Sequence, residues 1–77
     1  MTTSPIRFGL IGTGRIGQVH AVNIAASPDT TLTWVADPFI AGATGVAERF
    51  GGRATESADE MLASGDVDAV IIASPTP

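Results

Sequence analysis

The sequence contains no cysteine, lysine or tyrosine, and it has a single histidine, His20. The absence of cysteine excludes disulfides, thiolate nucleophiles and cysteine-based metal sites, and it is compatible with a reducing compartment. No second histidine or carboxylate lies at metal-ligand spacing from His20, so no metal site is expected. We predict that His20 packs toward the core rather than transferring protons.

Positive charge is also scarce, because four arginines are opposed by eight acidic residues, for a net charge of −4. This balance argues against nucleic acid or an anionic membrane as a partner. No apolar run approaches the roughly 20 residues that span a bilayer, and residues 1–5 have no leader-like pattern. We therefore expect a cytoplasmic protein. A chain of 77 residues provides one small domain at most.

Short apolar runs alternate with helical patterns along the whole chain. Strands are predicted over Ile6–Ile11, Leu32–Ala36, Arg53–Thr55 and Val67–Ala73. Helices are predicted over Gln18–Ala26, over about Ile40–Phe50, and from a capping box at Ser57–Glu60 to Gly65. This alternation predicts an α/β fold of Rossmann type, a doubly wound parallel sheet with strand order 3-2-1-4.

The stretch Gly12–Gly17 has the spacing Gly-x-Gly-x-x-Gly between the first strand and the first helix. Such a turn brings backbone N–H groups and the positive end of a helix dipole to a pyrophosphate. We predict that it binds a dinucleotide through Gly12, Thr13, Gly14, Arg15, Ile16 and Gly17, with Thr13 and Ile16 contributing mainly backbone and packing. Arg15 is expected to offer its backbone N–H, with its side chain solvated rather than bound to phosphate. The alternative for the whole turn is a plain chain reversal.

Asp37 lies 20 residues beyond Gly17, at the end of the second strand. A carboxylate at this place accepts hydrogen bonds from the adenosine ribose of NAD and repels the 2′-phosphate of NADP. We therefore predict NAD as the cofactor, with NADP less favoured. The alternative is that Asp37 only caps the next helix or forms an Asx-turn before Pro38. Asp66 and Asp68 are expected to be solvated turn residues away from this site.

Three segments resemble one known family. They are residues 12–20 (GTGRIGQVH), residues 35–38 (VADP) and residues 68–76 (DAVIIASPT). Together they look like the amino-terminal half of the glucose–fructose oxidoreductase / inositol dehydrogenase (Gfo/Idh/MocA) family. The resemblance implies an NAD-dependent oxidoreductase that transfers hydride to or from CH–OH groups of sugars, inositols or related small molecules. It also implies that Ala73, Ser74, Pro75 and Thr76 border the cofactor on its nicotinamide side.

The family's catalytic lysine, in a Glu-Lys-Pro segment, has no counterpart in this lysine-free sequence. We therefore expect residues 1–77 to be the N-terminal part of a dinucleotide-binding domain that lacks the remaining strands and the substrate domain. No catalytic residue is assigned, and the chain alone is expected to be inactive. The outer edge of the fourth strand is rich in Val70, Ile71 and Ile72, so the isolated chain is expected to be weakly stable or to self-associate along that edge.

Two other functions remain open at this point. The same nucleotide site suits a non-enzymatic NAD-binding or sensing module, including a truncated remnant of an enzyme. A structural α/β domain without a ligand is the weaker alternative. The sequence does not predict the substrate or the oligomeric state, because the residues that would decide them are absent.

Overall fold

The computed structural model describes residues 4–73. The strands are β1 (Ile6–Ile11), β2 (Thr30–Ala36), β3 (Arg53–Thr55) and β4 (Ala69–Ile72). The helices are α1 (Arg15–Ala26), α2 (Ile40–Phe50) and α3 (Ala58–Ala63). The strands form one parallel sheet in the order β3-β2-β1-β4, which confirms the predicted Rossmann-type topology.

The register aligns the carboxyl ends of the strands. Ile11 at the end of β1 pairs with Ala36 of β2 and with Ile72 of β4, and Ala36 pairs in turn with Thr55 of β3. The ladder extends one residue further in three places. Hydrogen bonds run from Gly12 N–H to Ala36 O (2.9 Å), from Asp37 N–H to Thr55 O (3.0 Å) and from Ala73 N–H to Ile11 O (2.7 Å). The residues that follow β1, β2 and β4 therefore lie side by side along one edge of the sheet.

The sheet is covered by apolar side chains on both faces, as expected for strands with nearly continuous apolar sequences. The larger cluster joins the sheet to α1 and α2, and the smaller one joins it to α3. The first comprises Leu10, Ala21, Ile24, Leu32, Val35, Ala43 and Val46, and the second comprises Trp34, Ala36 and Met61. Within residues 4–73, no helix is long and apolar enough to cross a membrane.

Several boundaries differ from the predictions. Helix α1 begins at Arg15 rather than Gln18, because Gly14 takes the N-cap position and the end of the glycine turn becomes the first helical turn. Strand β2 begins two residues before Leu32. Strand β4 is shorter than predicted at both ends, and helix α3 ends at Ala63, before Gly65.

The capping box at the start of α3 is confirmed only in its first half. The Ser57 hydroxyl accepts a hydrogen bond from Glu60 N–H (3.1 Å). The expected return bond, from the Ser57 N–H to the Glu60 carboxylate, does not form, because the Thr55 hydroxyl bonds to both of these groups instead. It accepts from Ser57 N–H (3.0 Å) and donates to Glu60 Oε1 (2.5 Å). Thr55, at the end of β3, therefore connects the sheet directly to α3.

Asp66 and Asp68 are exposed residues outside the helices and strands, as predicted, but each also makes contacts that the sequence did not predict. The Asp66 carbonyl accepts from the Thr33 hydroxyl (2.9 Å), and its carboxylate accepts from the Trp34 indole N–H (3.4 Å). Asp68 forms an ion pair with Arg7. Both acids precede β4, at the end of the sheet opposite the glycine turn, and so lie away from the carboxyl ends of the strands as expected.

Candidate functional site

The glycine turn has the backbone geometry that its sequence predicts. Gly12 adopts a φ of 100°, a conformation that side-chain-bearing residues rarely adopt, and it turns the chain sharply from β1 toward α1. Gly17, in the first turn of α1, lies directly against the Gly12 carbonyl. A Cβ at position 17 would overlap that oxygen. The two glycines therefore bring the helix close to the strand end, as expected.

Among the described residues, no side chain caps or neutralises the amino end of α1. Gly14 is the N-cap residue, no side-chain hydrogen bond caps the helix, and its first turn contains no acidic residue. A Cβ added to Gly14 would have no atom within 4 Å among the described residues. The helix dipole and the N–H groups of the first turn consequently face an open surface that favours an anion.

Asp37 faces the glycine turn from the end of β2. Its Oδ2 accepts hydrogen bonds from both the N–H and the hydroxyl of Thr13, each at 2.8 Å. Its Oδ1 accepts from Phe39 N–H, also at 2.8 Å, which forms an Asx-turn. The Asx-turn, the alternative to ribose binding, is therefore present. A carboxylate offers about four acceptor directions, so three bonds leave one for a further donor. Both uses of Asp37 are compatible.

The same contacts determine the charge state of Asp37. Partial burial would by itself raise the pKa of the carboxyl group. The hydrogen bonds from Phe39 N–H, from the Thr13 hydroxyl and from Thr13 N–H outweigh that effect and lower the pKa below its usual value. Asp37 is therefore ionised at neutral pH, the state that accepts hydrogen bonds from sugar hydroxyls.

The remaining predicted residues fall into three groups. Arg15 and Ile16 are exposed in the first turn of α1. Ala73 follows β4 and lies next to the glycine turn, since a Cβ at Gly17 would be 3.8 Å from the Ala73 Cβ. Ser74, Pro75 and Thr76 lie outside the described residues.

Two adjoining grooves between α1 and α2 were not predicted. The larger, of about 430 Å³, is lined by Arg15, Gln18, Val19, Val22, Arg49 and Phe50. The smaller groove, of about 200 Å³, has Thr13 in its lining and shares Gln18 and Arg49 with the larger one. Gln18 also donates from its amide to the Thr13 carbonyl (3.2 Å). The helical spacing of Gln18 and Val22 could have indicated a shared face, but their apposition to Arg49 depends on how the helices pack.

His20 lies half-buried on α1, beside a buried face formed by Gly17, Ala21 and Ile24. Ile16 and Val19, which the helical spacing places next to that face, are exposed. Residues 4–73 contain no group of three histidine, cysteine or acidic residues that could hold a metal ion. The described site consists of a glycine turn, a helix amino end and one ionised carboxylate.

A parallel sheet of order 3-2-1-4 with a glycine turn after its first strand defines a dinucleotide-binding domain of Rossmann type. Residues 6–77 match the family model described as "Oxidoreductase family, NAD-binding Rossmann fold", GFO_IDH_MocA. The chain belongs to that family, as the sequence motifs suggested.

Individual relatives agree with this assignment. The chain is 44% identical over 71 residues to an inositol 2-dehydrogenase of Rhizobium meliloti (strain 1021), covering 92% of this chain and 21% of that protein. The crystal structure of a myo-inositol dehydrogenase from Corynebacterium glutamicum is 52% identical, with a TM-score of 0.87, and covers 92% of this chain and 21% of that one.

Cofactors are present in two further structures of similar fold. GenD2 from gentamicin A biosynthesis, in complex with NAD, is 36% identical with a TM-score of 0.91, covering 96% of this chain and 21% of its own. KijD10, a 3-ketoreductase from Actinomadura kijaniata in complex with NADP, is 37% identical with a TM-score of 0.82, covering 87% of this chain and 22% of its own. The chain thus spans 21% or 22% of the length of these four relatives.

Proposed function

We propose that this chain binds NAD along the carboxyl edge of its sheet. The adenosine ribose would contact Asp37, the pyrophosphate would lie over Gly12–Gly17 at the amino end of α1, and the nicotinamide side would be bordered by residues 73–76. The register supports this proposal most directly, because it brings Gly12, Asp37 and Ala73 side by side at one edge. In doubly wound sheets, this edge is where nucleotides bind.

NAD is the preferred cofactor in this proposal, although a relative of this fold was crystallised with NADP. The ionised Asp37 carboxylate, bound to the backbone on both of its oxygens, supports the preference. A ribose hydroxyl can donate to that carboxylate, whereas a 2′-phosphate would bring a second anion against it.

Calorimetric titration with NADH and with NADPH tests the cofactor proposal. We expect tighter binding of NADH, and we expect Asp37→Ala to reduce NADH affinity more than NADPH affinity. Asp29→Ala is the matched control, since it removes an exposed carboxylate from the turn before β2, at the opposite end of the sheet. If the folded wild-type protein prefers NADPH, the role given to Asp37 is wrong.

We further propose that the chain forms the first part of the dinucleotide-binding domain of an oxidoreductase. Bound NAD would supply hydride transfer to or from a CH–OH group of an inositol, a sugar or a related molecule. The residues of this chain would bind and orient the cofactor. The proton acceptor for the substrate hydroxyl would come from residues beyond these 77, in the remaining strands and a substrate domain.

Sequencing downstream of the codon for Pro77 tests this assignment, because an enzyme requires a continued reading frame with a Glu-Lys-Pro segment. The protein at its natural length should then reduce NAD in the presence of an inositol or sugar. NADH binding without turnover on a panel of such compounds would instead favour the sensing module. A cytoplasmic location is part of the same proposal, and cell fractionation checks it.

A further inference from the structure

Thr13, the second residue of the glycine turn, directs both of its donors at one atom. Its backbone N–H and its hydroxyl each lie 2.8 Å from Asp37 Oδ2. A residue in such a turn is expected to offer its N–H to the pyrophosphate. Here that N–H is instead used to hold a carboxylate that lies 24 residues away in the sequence.

Thr13 is itself held in place from two directions, through its side chain and through its backbone. It is only 9% exposed, and the first turn of α2 packs against it so closely that a Cβ at Gly42 would overlap the Thr13 hydroxyl. On its other side the Thr13 carbonyl accepts from the Gln18 amide (3.2 Å). Helix α2 therefore confines the Thr13 hydroxyl, while α1 holds the Thr13 backbone.

We propose that Thr13 is a positioning residue that fixes the Asp37 carboxylate toward the adenosine ribose and thereby strengthens the preference for NAD over NADP. The inference rests on the proposed function, since it concerns the same nucleotide site. With Oδ2 held by Thr13 and Oδ1 held by Phe39 N–H, the carboxylate cannot rotate out of the path of a 2′-phosphate. The one acceptor direction that remains is available to a ribose hydroxyl.

Thr13→Val and Thr13→Ser separate positioning from packing. Valine keeps the shape of threonine but replaces the hydroxyl with a methyl group, whereas serine keeps the hydroxyl. In the protein at its natural length, we expect Thr13→Val to weaken NADH binding by up to roughly tenfold, because a carboxylate that is no longer held must be ordered when the ribose binds. NADPH affinity should stay the same or rise, so the preference for NADH over NADPH should become smaller. Thr13→Ser, which keeps the hydroxyl, should keep the wild-type ratio of NADH affinity to NADPH affinity.

Thr30→Val is the matched control. The Thr30 hydroxyl also donates a hydrogen bond (2.8 Å, to the Ile24 carbonyl), but it lies at the amino end of β2, away from the glycine turn. This control should leave both affinities unchanged. Gly42→Ala is a second test, because the added methyl group would displace the Thr13 hydroxyl without removing it. Like Thr13→Val, it should reduce the preference for NADH over NADPH.

The pH dependence of NADH binding supplies a readout that a purely structural role would not change. Loss of the Thr13 hydroxyl removes a donor to the ionised carboxylate, so the pKa of Asp37 should rise in Thr13→Val. As the pH is lowered, this variant should therefore lose NADH binding at a higher pH than the wild type does.

The outcomes distinguish this inference from the proposed function. If wild type binds NADH tightly and Thr13→Val keeps the same NADH-to-NADPH ratio and the same pH profile, the positioning role is overturned while the cofactor site stands. An equal loss of both affinities would likewise overturn it, since that is the result of disturbed packing. If the folded wild type binds neither nucleotide, the proposed function itself fails, and the inference fails with it.

Discussion

Arg7 and Asp68 join the beginnings of β1 and β4, and the Asp68 carboxylate accepts three hydrogen bonds from Arg7. The guanidinium donates from Nε to Asp68 Oδ2 (3.1 Å) and from a terminal nitrogen to Oδ1 (2.9 Å). The Arg7 backbone N–H donates to the same Oδ2 (2.9 Å). This fork ties β4 to β1, the one strand that pairs with β4 within residues 4–73. It lies at the end of the sheet opposite the glycine turn. Its effect should therefore appear in stability rather than in cofactor binding.

The fork predicts a specific response to acid. Hydrogen bonds from Arg7 hold the pKa of Asp68 at about 2, below its usual 3.8. A carboxyl group with a lowered folded-state pKa stabilises the fold above its unfolded-state pKa and loses that effect as the pH falls through the folded-state value. We expect Asp68→Asn to show a smaller decline of the free energy of unfolding than wild type between about pH 4 and pH 2.

Denaturant titrations at a series of pH values measure this difference. Glu48→Gln is the control, because it removes the same formal charge from an exposed position on α2. Both members of the Arg7–Asp68 pair are partly exposed, so high salt should reduce the effect. Identical acid profiles for wild type and Asp68→Asn would contradict the role of the fork.

The close approach of Gly17 to Gly12 predicts that Gly17→Ala is harmful. The new methyl group would overlap the Gly12 carbonyl oxygen, a backbone atom that cannot turn aside. Helix α1 must then shift away from β1, which should lower the free energy of unfolding by about 1–3 kcal/mol. NADH affinity should also fall, because the amino end of α1 moves with the helix.

Gly45→Ala is the matched control for this substitution. Gly45 lies inside α2, and a Cβ there has no described atom within 4 Å. Alanine at such a position should raise helix stability by up to about 1 kcal/mol. Thermal and denaturant unfolding, measured for both variants, should therefore move in opposite directions. A Gly17→Ala variant as stable as wild type would mean that the turn and helix are not in close contact.

Thr55 should contribute more to the start of α3 than Ser57, the residue at the N-cap. The Thr55 side chain is buried and both accepts from Ser57 N–H and donates to the Glu60 carboxylate. Thr55→Val leaves both groups without this partner and should lower the free energy of unfolding by about 1–3 kcal/mol. Ser57→Ala removes the cap and should lower it by about 1 kcal/mol. Denaturant unfolding of the two variants compares them, and a larger loss for Ser57→Ala would contradict the arrangement.

The sequence predicted those features that depend on local patterns. Alternating apolar runs indicated the strand order, and the spacing from Gly17 to Asp37 indicated that both lie at one edge of the sheet. It did not predict the bonds from Thr13 to Asp37, because they depend on how α2 packs against the glycine turn. Nor did it predict the Arg7–Asp68 pair, which forms only once the parallel register of β1 and β4 is set. The capping box failed in its second half for a similar reason, since Thr55 arrives there from the sheet.

The outer edge of β4 remains a predicted site of self-association. Within residues 4–73, β4 pairs only with β1, and Ile72 on it is 72% exposed. An apolar strand edge with unpaired backbone groups favours pairing with another chain. We expect the 77-residue chain to associate as its concentration rises, which sedimentation and the concentration dependence of thermal unfolding would both detect.

Ile72→Lys should weaken this association, because charged side chains oppose edge pairing. Leu62→Lys is the control, since Leu62 is 57% exposed but lies on α3 rather than on the strand. A concentration-independent unfolding transition with only monomer in solution would contradict this prediction.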